Sequence, residues 1–278
     1  MGNNQFKVYH AKTISDILYH LRNVNNVSIT AGCTGIMYKK NPEFLTYPDS
    51  ILNIRNVEEL SQINKTERFI EFGSCVTFSQ IQGIESKHRL SILQDAIRDI
   101  GTPSVRNIAT LGGNLCLRNY KMTAFAPLLA LDAKLEFRNI NDIQIIPIKH
   151  FHEVPTGSFL SKIRIPVEDW DVAIFRRLGP LYEVNDFSAG YVFLANTQKD
   201  ILSDLRISFC FKHAFRSKEL ENLLIGNKLP LSDKTILSFI EKTSTNFDEY
   251  MQNNKIECNT ILKEQFINLL GASLEKLT

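Results

Sequence analysis

Two short turns built from small residues place the strongest constraint on how this chain folds. The first reads Ala31-Gly32-Cys33-Thr34-Gly35 and the second reads Ala109-Thr110-Leu111-Gly112-Gly113-Asn114; each lies beside an apolar run. A backbone without bulky side chains lets an anion approach closely, and successive amides of such a turn can point at one phosphate. The pair therefore predicts two loops, distant in sequence, that hold a diphosphate between them. For either fragment alone, an ordinary connecting turn is the alternative.

The residues around the second turn carry a family resemblance. Arg106-Asn107 stands just before it, and Ala126-Pro127-Leu128-Leu129-Ala130-Leu131 follows it. This order resembles the FAD-binding subunits of the molybdenum hydroxylases, the group that includes xanthine dehydrogenase and carbon monoxide dehydrogenase. Their pattern is Arg-Asn, then Ala-Thr-x-Gly-Gly-Asn, and later Pro-x-Leu-x-Ala-Leu. The first turn resembles the family's Ala-Gly-Gly-Thr-Asp-Leu, and the likeness extends from about Phe6 to the C-terminus.

The resemblance implies an α+β fold in two parts. A two-lobed, vanillyl-alcohol-oxidase-like (PCMH-type) FAD-binding domain would occupy residues 1–168, with lobes at about 1–55 and 56–168. A small α+β C-terminal domain of the carbon monoxide dehydrogenase flavoprotein type would occupy residues 169–278. That second domain would be a three-stranded antiparallel sheet with helices.

The resemblance also implies which residues bind FAD. The amides of both turns and the Thr110 hydroxyl would hold the diphosphate, and the Thr123 hydroxyl would bond to a ribose. Arg177 falls near a position where the family often carries a lysine close to the flavin; a surface arginine on a strand is the alternative. The implied cofactor-binding set is Ala31, Gly32, Cys33, Thr34, Gly35, Ala109, Thr110, Leu111, Gly112, Gly113, Asn114, Thr123 and Arg177. No side chain is assigned a catalytic role, since the cofactor would carry the redox chemistry.

In this family the flavin receives electrons from iron–sulfur clusters on a separate polypeptide, which draws them from a molybdenum subunit. The resemblance therefore implies an electron-transfer subunit of a hetero-oligomer, with an iron–sulfur subunit and a molybdopterin subunit as partners. Electrons would leave through FAD to NAD+ or another acceptor.

Three positions depart from the family pattern. Cys33 and Gly35 stand where the family has a second glycine and an Asp or Asn, and Thr123 stands where an acidic residue holds the ribose. Loss of that two-oxygen acceptor is expected to weaken binding by about 1–3 kcal/mol. A structural or interaction subunit with weak or no FAD binding is therefore an alternative, and a free-standing flavin oxidase is a third.

Composition and residue spacing argue against nucleic-acid-binding, membrane-spanning and metal-binding proteins. The formal net charge of +2 gives no reason to expect a nucleic acid or an anionic membrane as partner. No apolar run is long enough to span a bilayer, so a cytoplasmic protein without membrane insertion is expected. The five cysteines are widely spaced, which argues against an iron–sulfur cluster or a structural zinc. His150-Phe151-His152 could bind zinc but has no third ligand at a matching spacing, so no metal site is predicted.

Periodicity predicts the main elements. An amphipathic helix is expected at residues 13–24, a strand at 27–30 before the first turn, and a helix at 124–131. Three strands are expected at 172–178, 189–195 and 204–211, followed by helices with Ser217 and Ser232 as N-caps. The mixed charges at 212–221 predict a solvated helix start.

Overall fold

The computed structural model describes residues 7–37, 48–85, 90–117, 121, 123–180 and 183–278. Its strands are β1 (Lys7–His10), β2 (Ser28–Thr30), β3 (Ser50–Asn53), β4 (Ile63–Lys65), β5 (Phe69–Gly73), β6 (Lys134–Arg138), β7 (Ile143–Pro147), β8 (Phe159–Pro166), β9 (Val172–Leu178), β10 (Ala189–Gln198), β11 (Ile201–Cys210) and β12 (Ala214–Phe215). Its helices are α1 (Ile14–Asn23), α2 (Thr34–Met37), α3 (Phe78–Gln82), α4 (Ser91–Arg98), α5 (Pro103–Arg106), α6 (Leu111–Leu115), α7 (Phe125–Ala130), α8 (Lys218–Leu224), α9 (Asp233–Asn253) and α10 (Thr260–Leu274).

The chain divides into two compact units that are not continuous in sequence. The first contains residues 1–85, 101–118 and 132–167, and the second contains residues 86–100, 119–131 and 168–278. Both glycine turns of the sequence belong to the first unit. The segment with α7 belongs to the second unit, although it directly follows the second turn.

The first unit begins with a small parallel sheet in the order β1-β3-β2. α1 connects β1 to β2, as a parallel arrangement of strands requires. Thr13 and Asp16 form a capping box at the start of α1, and the fully buried Ile17 packs with Leu52 of β3. The helix predicted at 13–24 is confirmed, with bounds one residue shorter at each end.

A five-stranded antiparallel sheet in the order β4-β5-β8-β6-β7 completes the first unit. β8 alternates along its length: Ile163 and Ile165 are buried, whereas Arg164 is half-buried and donates from Nε to Glu71 at 2.8 Å. Side chains on a strand point to opposite faces in turn, so one face of this sheet supplies a core and the other carries charges.

The second unit contains an antiparallel sheet in the order β12-β11-β10-β9. The three strands predicted from the sequence are present as β9, β10 and β11, and Ser217 and Ser232 cap α8 and α9 as predicted. The predicted three-stranded sheet is nevertheless wrong, because the structure adds β12. That strand has only two residues, too few to produce an alternating pattern.

Aromatic side chains form the core between this sheet and the long C-terminal helices. Phe209 of β11 stacks on Phe266 of α10 with ring centroids 4.7 Å apart, and Phe247 of α9 meets Phe266 at 5.5 Å. All three are fully buried. This packing anchors α9 and α10 to the sheet.

An ion pair is buried where a solvated helix start was predicted. Arg216 and Glu221 approach to 2.8 Å, and their side chains are only 7% and 4% exposed. Glu221 also accepts the Ile207 amide at 2.9 Å, and Arg216 donates to the Leu129 carbonyl of α7 at 2.7 Å. The prediction for residues 212–221 is therefore wrong at Glu221, because tertiary contacts bury this carboxylate among its partners.

Candidate cofactor-binding site

The first turn lies at the end of β2 and leads into α2, a helix of four residues. Cys33 adopts a left-handed backbone with φ of 56°. No amide in the run from Gly32 to Gly35 donates a hydrogen bond to another described residue of the chain. Successive amides without an acceptor can point at one anion, so this run is a candidate phosphate-binding turn.

The second turn has a different construction from the one expected. Its Leu111–Leu115 segment is the short helix α6, and Thr110 caps it. Every amide from 111 to 114 is hydrogen-bonded within the chain: Leu111 to the Val76 carbonyl, Gly112 to the Ser74 carbonyl, Gly113 to Thr110 Oγ1 and Asn114 to the Thr110 carbonyl, each at 3.0 Å. Because each of these four amides already has an acceptor, the second turn differs from the first, whose amides have none among the described residues. Among the described residues, the Thr110 amide donates to none.

The two turns touch within the first unit. A Cβ atom added to Gly32 would lie 2.0 Å from the carbonyl oxygen of Ile108, just before the second turn. A Cβ atom added to Gly35 would lie 2.5 Å from the Leu117 side chain, just after α6. Gly32 is therefore needed for close approach to the backbone before the second turn, whereas the obstacle at Gly35 is a side chain that can rotate. The sequence predicted that the turns meet, and the structure brings them together.

The second turn packs on residues 74–78, which lead into α3 and were given no role in the predicted site. Phe78 donates its amide to the Ala109 carbonyl at 3.1 Å, and Thr77 and Thr110 form an isolated antiparallel bridge. A Cβ atom at Gly112 would lie 2.6 Å from both Cβ and the carbonyl oxygen of Ser74. Gly112 is therefore required for packing of α6 on this segment rather than for contact with a phosphate. No local pattern in residues 74–79 announces that contact.

Buried polar atoms without a partner mark both turns. Thr30 ends β2 just before the first turn, and Asn114 lies in α6; each residue is 7% exposed. Thr30 Oγ1 and Asn114 Oδ1 have no hydrogen-bond partner in the described part of the chain. Buried polar atoms in folded proteins are normally satisfied, so these two point to a ligand or an ordered water beside the turns. Together with the unpartnered amides of the first turn, they fit a polar, phosphate-bearing cofactor.

Thr123 and Arg177, the other two predicted cofactor residues, belong to the second unit. Thr123 is half-buried just before α7; its predicted neighbours Asn119, Tyr120 and Met122 lie outside the described residues. Arg177 donates to the carbonyls of Gly179, Pro180 and Glu183, with the Glu183 bond at 2.9 Å. Its guanidinium therefore has backbone acceptors in the residues that follow β9.

The cysteines differ sharply in exposure. Cys33 is exposed in the first turn, whereas Cys75 and Cys210 are buried. Burial raises the pKa of the Cys75 thiol to about 11 and that of Cys116 to about 12. These two thiols stay protonated and unreactive near neutral pH.

The His150-Phe151-His152 segment is not a strand. Residues 148–150 form a 3-10 turn, and both histidines are exposed. The buried Phe151 stacks on Phe137 with ring centroids 5.4 Å apart, which gives the segment a structural role. Within the described ranges, no three His, Cys, Asp or Glu residues are grouped as metal ligands would be, and no helix is long and apolar enough to cross a membrane.

The fold and the paired turns define a class of protein: a mixed helix-and-strand chain whose first unit packs one small-residue turn against the flanks of a second glycine turn. Residues 4–168 match the family described as the FAD binding domain in molybdopterin dehydrogenase. The chain belongs to that family.

Named relatives agree with this assignment. The xanthine dehydrogenase FAD-binding subunit of Escherichia coli O157:H7 is 32% identical over 154 residues, covering 54% of this chain and 52% of the relative. The chain thus aligns with about half the length of that relative. The glyceraldehyde dehydrogenase medium chain of Sulfolobus acidocaldarius is 23% identical over 251 residues, covering 87% of this chain and 88% of the relative.

Solved structures share the fold over nearly the whole chain. Carbon monoxide dehydrogenase from Hydrogenophaga pseudoflava has a TM-score of 0.80 at 16% identity, covering 100% of this chain and 97% of that one. Quinoline 2-oxidoreductase from Pseudomonas putida 86 has a TM-score of 0.78 at 16% identity, covering 98% and 95%. The likeness therefore includes residues 169–278, which lie beyond the residues matched by the family.

Proposed function

We propose that this chain is the FAD-binding, electron-transfer subunit of a multi-subunit molybdenum hydroxylase. One observation carries the proposal: the amides from Gly32 to Gly35 have no acceptor in the described chain, and this run packs directly against Ile108. A diphosphate carries negative charge and several acceptor oxygens, so it suits a run of successive N–H groups that lack an acceptor. Family membership supplies the identity of the diphosphate compound as FAD.

The residues of the first unit would divide the binding task. The amides of Gly32, Cys33, Thr34 and Gly35 would donate to the diphosphate, with Ala31 completing the turn. Thr110 would add one amide, and Asn114 Oδ1 would accept a hydrogen bond from the cofactor. The remaining predicted residues of the second turn, Ala109, Leu111, Gly112 and Gly113, would act through the position of their backbone. FAD, when bound, supplies the redox chemistry, and the protein orients it.

Thr123 and Arg177 remain in the proposed cofactor set. The Thr123 hydroxyl would bond to a ribose hydroxyl, with a single oxygen in place of a carboxylate. The Arg177 cation would favour a reduced, anionic isoalloxazine through Coulomb attraction. The role of Thr123 rests on the family resemblance, and the role of Arg177 rests on the charge of its side chain.

The domain organisation follows the same proposal. Residues 1–168 would form the two-lobed, PCMH-type FAD-binding domain, and residues 169–278 the C-terminal domain. The parallel sheet within residues 7–53 and the antiparallel sheet within residues 63–166 support lobes at about 1–55 and 56–168. An iron–sulfur subunit and a molybdopterin subunit would be the partners in the cytoplasm. Electrons would pass from the former through FAD to NAD+ or another acceptor; the names of the relatives support such a complex.

The direct test is a titration of the purified chain with FAD, monitored by fluorescence. Gel filtration then removes free FAD, and the visible absorption of the protein shows whether FAD has stayed bound. We expect FAD to remain with the protein and its fluorescence to change on binding. A folded chain that binds no FAD would contradict the proposal and favour the alternative of a structural subunit.

Alkylation of Cys33 provides a second prediction. Because Cys33 is exposed in the proposed phosphate turn, a thiol reagent should modify it faster than Cys75 or Cys210, which are buried. FAD at about 100 times its dissociation constant should slow this reaction about 100-fold, since only the unbound fraction exposes the thiol. Peptide mass spectrometry measures the rate at each cysteine. Modification of Cys33 at the same rate with and without bound FAD would place the cofactor elsewhere.

A further inference from the structure

The Arg106-Asn107 pair forms part of the sequence pattern, yet the proposed function assigns neither residue a role. The structure gives each side chain a partner. Ser79 of α3 donates from Oγ to Asn107 Oδ1 at 2.5 Å. Arg106 donates from Nη1 to the Gly101 carbonyl at 2.8 Å, which closes the turn between α4 and α5.

The Ser79–Asn107 bond extends a short backbone ladder. The ladder has two bonds. The Phe78 amide, at the start of α3, donates to the Ala109 carbonyl at 3.1 Å, and the Leu111 amide donates to the Val76 carbonyl, just before α3, at 3.0 Å. Asn107 and Ala109 flank Ile108 on its two sides. Ile108 is therefore held between a side-chain bond and a backbone bond, both to α3.

Ile108 is the residue that Gly32 of the first turn approaches. The position a Cβ atom would take on Gly32 lies 2.0 Å from the Ile108 carbonyl oxygen and 3.2 Å from its Cγ2 atom. The Ile108 side chain is also 40% exposed, beside the unpartnered amides of the first turn. A shift of Ile108 would change the distance between the two turns, because nothing separates it from the backbone of Gly32.

We propose that Ser79 and Asn107 are positioning residues for the cofactor. Their hydrogen bond fixes Ile108 and thereby sets the spacing between the two glycine turns that receive the diphosphate. This inference rests on the proposed function and names two residues that the sequence pattern left without a task. Ser79 and Asn107 touch no cofactor in this arrangement; they act through Ile108.

The exposure of the Ser79–Asn107 bond allows a positioning role to be distinguished from a contribution to overall stability. Ser79 is half-buried and Asn107 is exposed, so water can replace either partner when the bond is lost. Loss of the bond is therefore expected to change the second turn and leave the unfolding temperature nearly constant. If the bond were purely structural, its loss would lower the unfolding temperature and leave FAD binding unchanged.

The test compares Ser79→Ala with Ser79→Thr in the full chain. Without the hydroxyl, FAD affinity should fall roughly tenfold, the value expected when one hydrogen bond no longer orders a binding site. Threonine keeps the hydroxyl and should restore most of the affinity. Hydrogen–deuterium exchange gives a readout independent of FAD: the amides of Ile108, Ala109, Leu111 and Gly112 should exchange faster in Ser79→Ala than in the wild type.

Ser232→Ala is the matched control. Ser232 caps α9 in the second unit, where its loss should lower the unfolding temperature without changing FAD affinity. If Ser79→Ala binds FAD and exchanges amides as the wild type does, the positioning role is wrong. If the wild type itself binds no FAD, the proposed function fails, and the exchange experiment still decides whether this bond holds the turn.

Discussion

Substitution of Gly32 by alanine is expected to weaken FAD binding by about 5- to 160-fold, the range that an overpacking cost of about 1–3 kcal/mol produces. The added Cβ atom would stand 2.0 Å from the Ile108 carbonyl oxygen, a distance that no contact tolerates. The obstacle is backbone, so no side-chain rotation relieves it. The first turn must then move away from the second, and its amides lose their position. Fluorescence titration with FAD measures the change.

Gly83→Ala is the control for this experiment. Gly83 ends α3 with φ of −74°, and an added Cβ atom would meet its nearest neighbours at 3.6 Å, an ordinary contact. This variant should bind FAD like the wild type. If Gly32→Ala also binds like the wild type while remaining folded, the close approach of the two turns has no part in cofactor binding.

The second large effect is expected in the second unit. Glu221→Ala should lower the free energy of unfolding by about 3–5 kcal/mol, the usual result of removing one partner from a buried ion pair. The change leaves the Arg216 guanidinium without its carboxylate at a site where that side chain is only 7% exposed. It also removes the acceptor of the Ile207 amide. Urea denaturation monitored by circular dichroism provides the measurement.

Asp95→Ala in α4 gives the matched comparison. Asp95 pairs with Arg98 at 2.5 Å, but the two side chains are 41% and 67% exposed, so the expected loss is below about 1 kcal/mol. Equal losses in the two variants would mean that burial does not determine the strength of the Arg216–Glu221 pair.

The sequence alone predicted those helices and caps that depend on residues only a few positions apart. The apolar spacing of Ile14, Ile17, Leu18 and Leu21 predicted α1, and the serines before α8 and α9 predicted their caps, because helix periodicity and capping are set by near neighbours. β12 and the burial of Glu221 escaped prediction. Each depends on partners that are remote in sequence, namely β11 for the strand and Arg216 with the Ile207 amide for the carboxylate.

The candidate site shows the same division. The two small-residue turns, their meeting and the family could be read from the order of residues, since glycine permits a close backbone approach wherever it stands. Only the tertiary structure determined which amides of each turn have a hydrogen-bond acceptor within the chain. Those of Gly32 to Gly35 have no acceptor in the described chain, whereas those of residues 111–114 are taken by the segment before α3 and by the Thr110 cap. A hydrogen bond needs both partners in place, and only folding brings residues 74–79 beside the second turn.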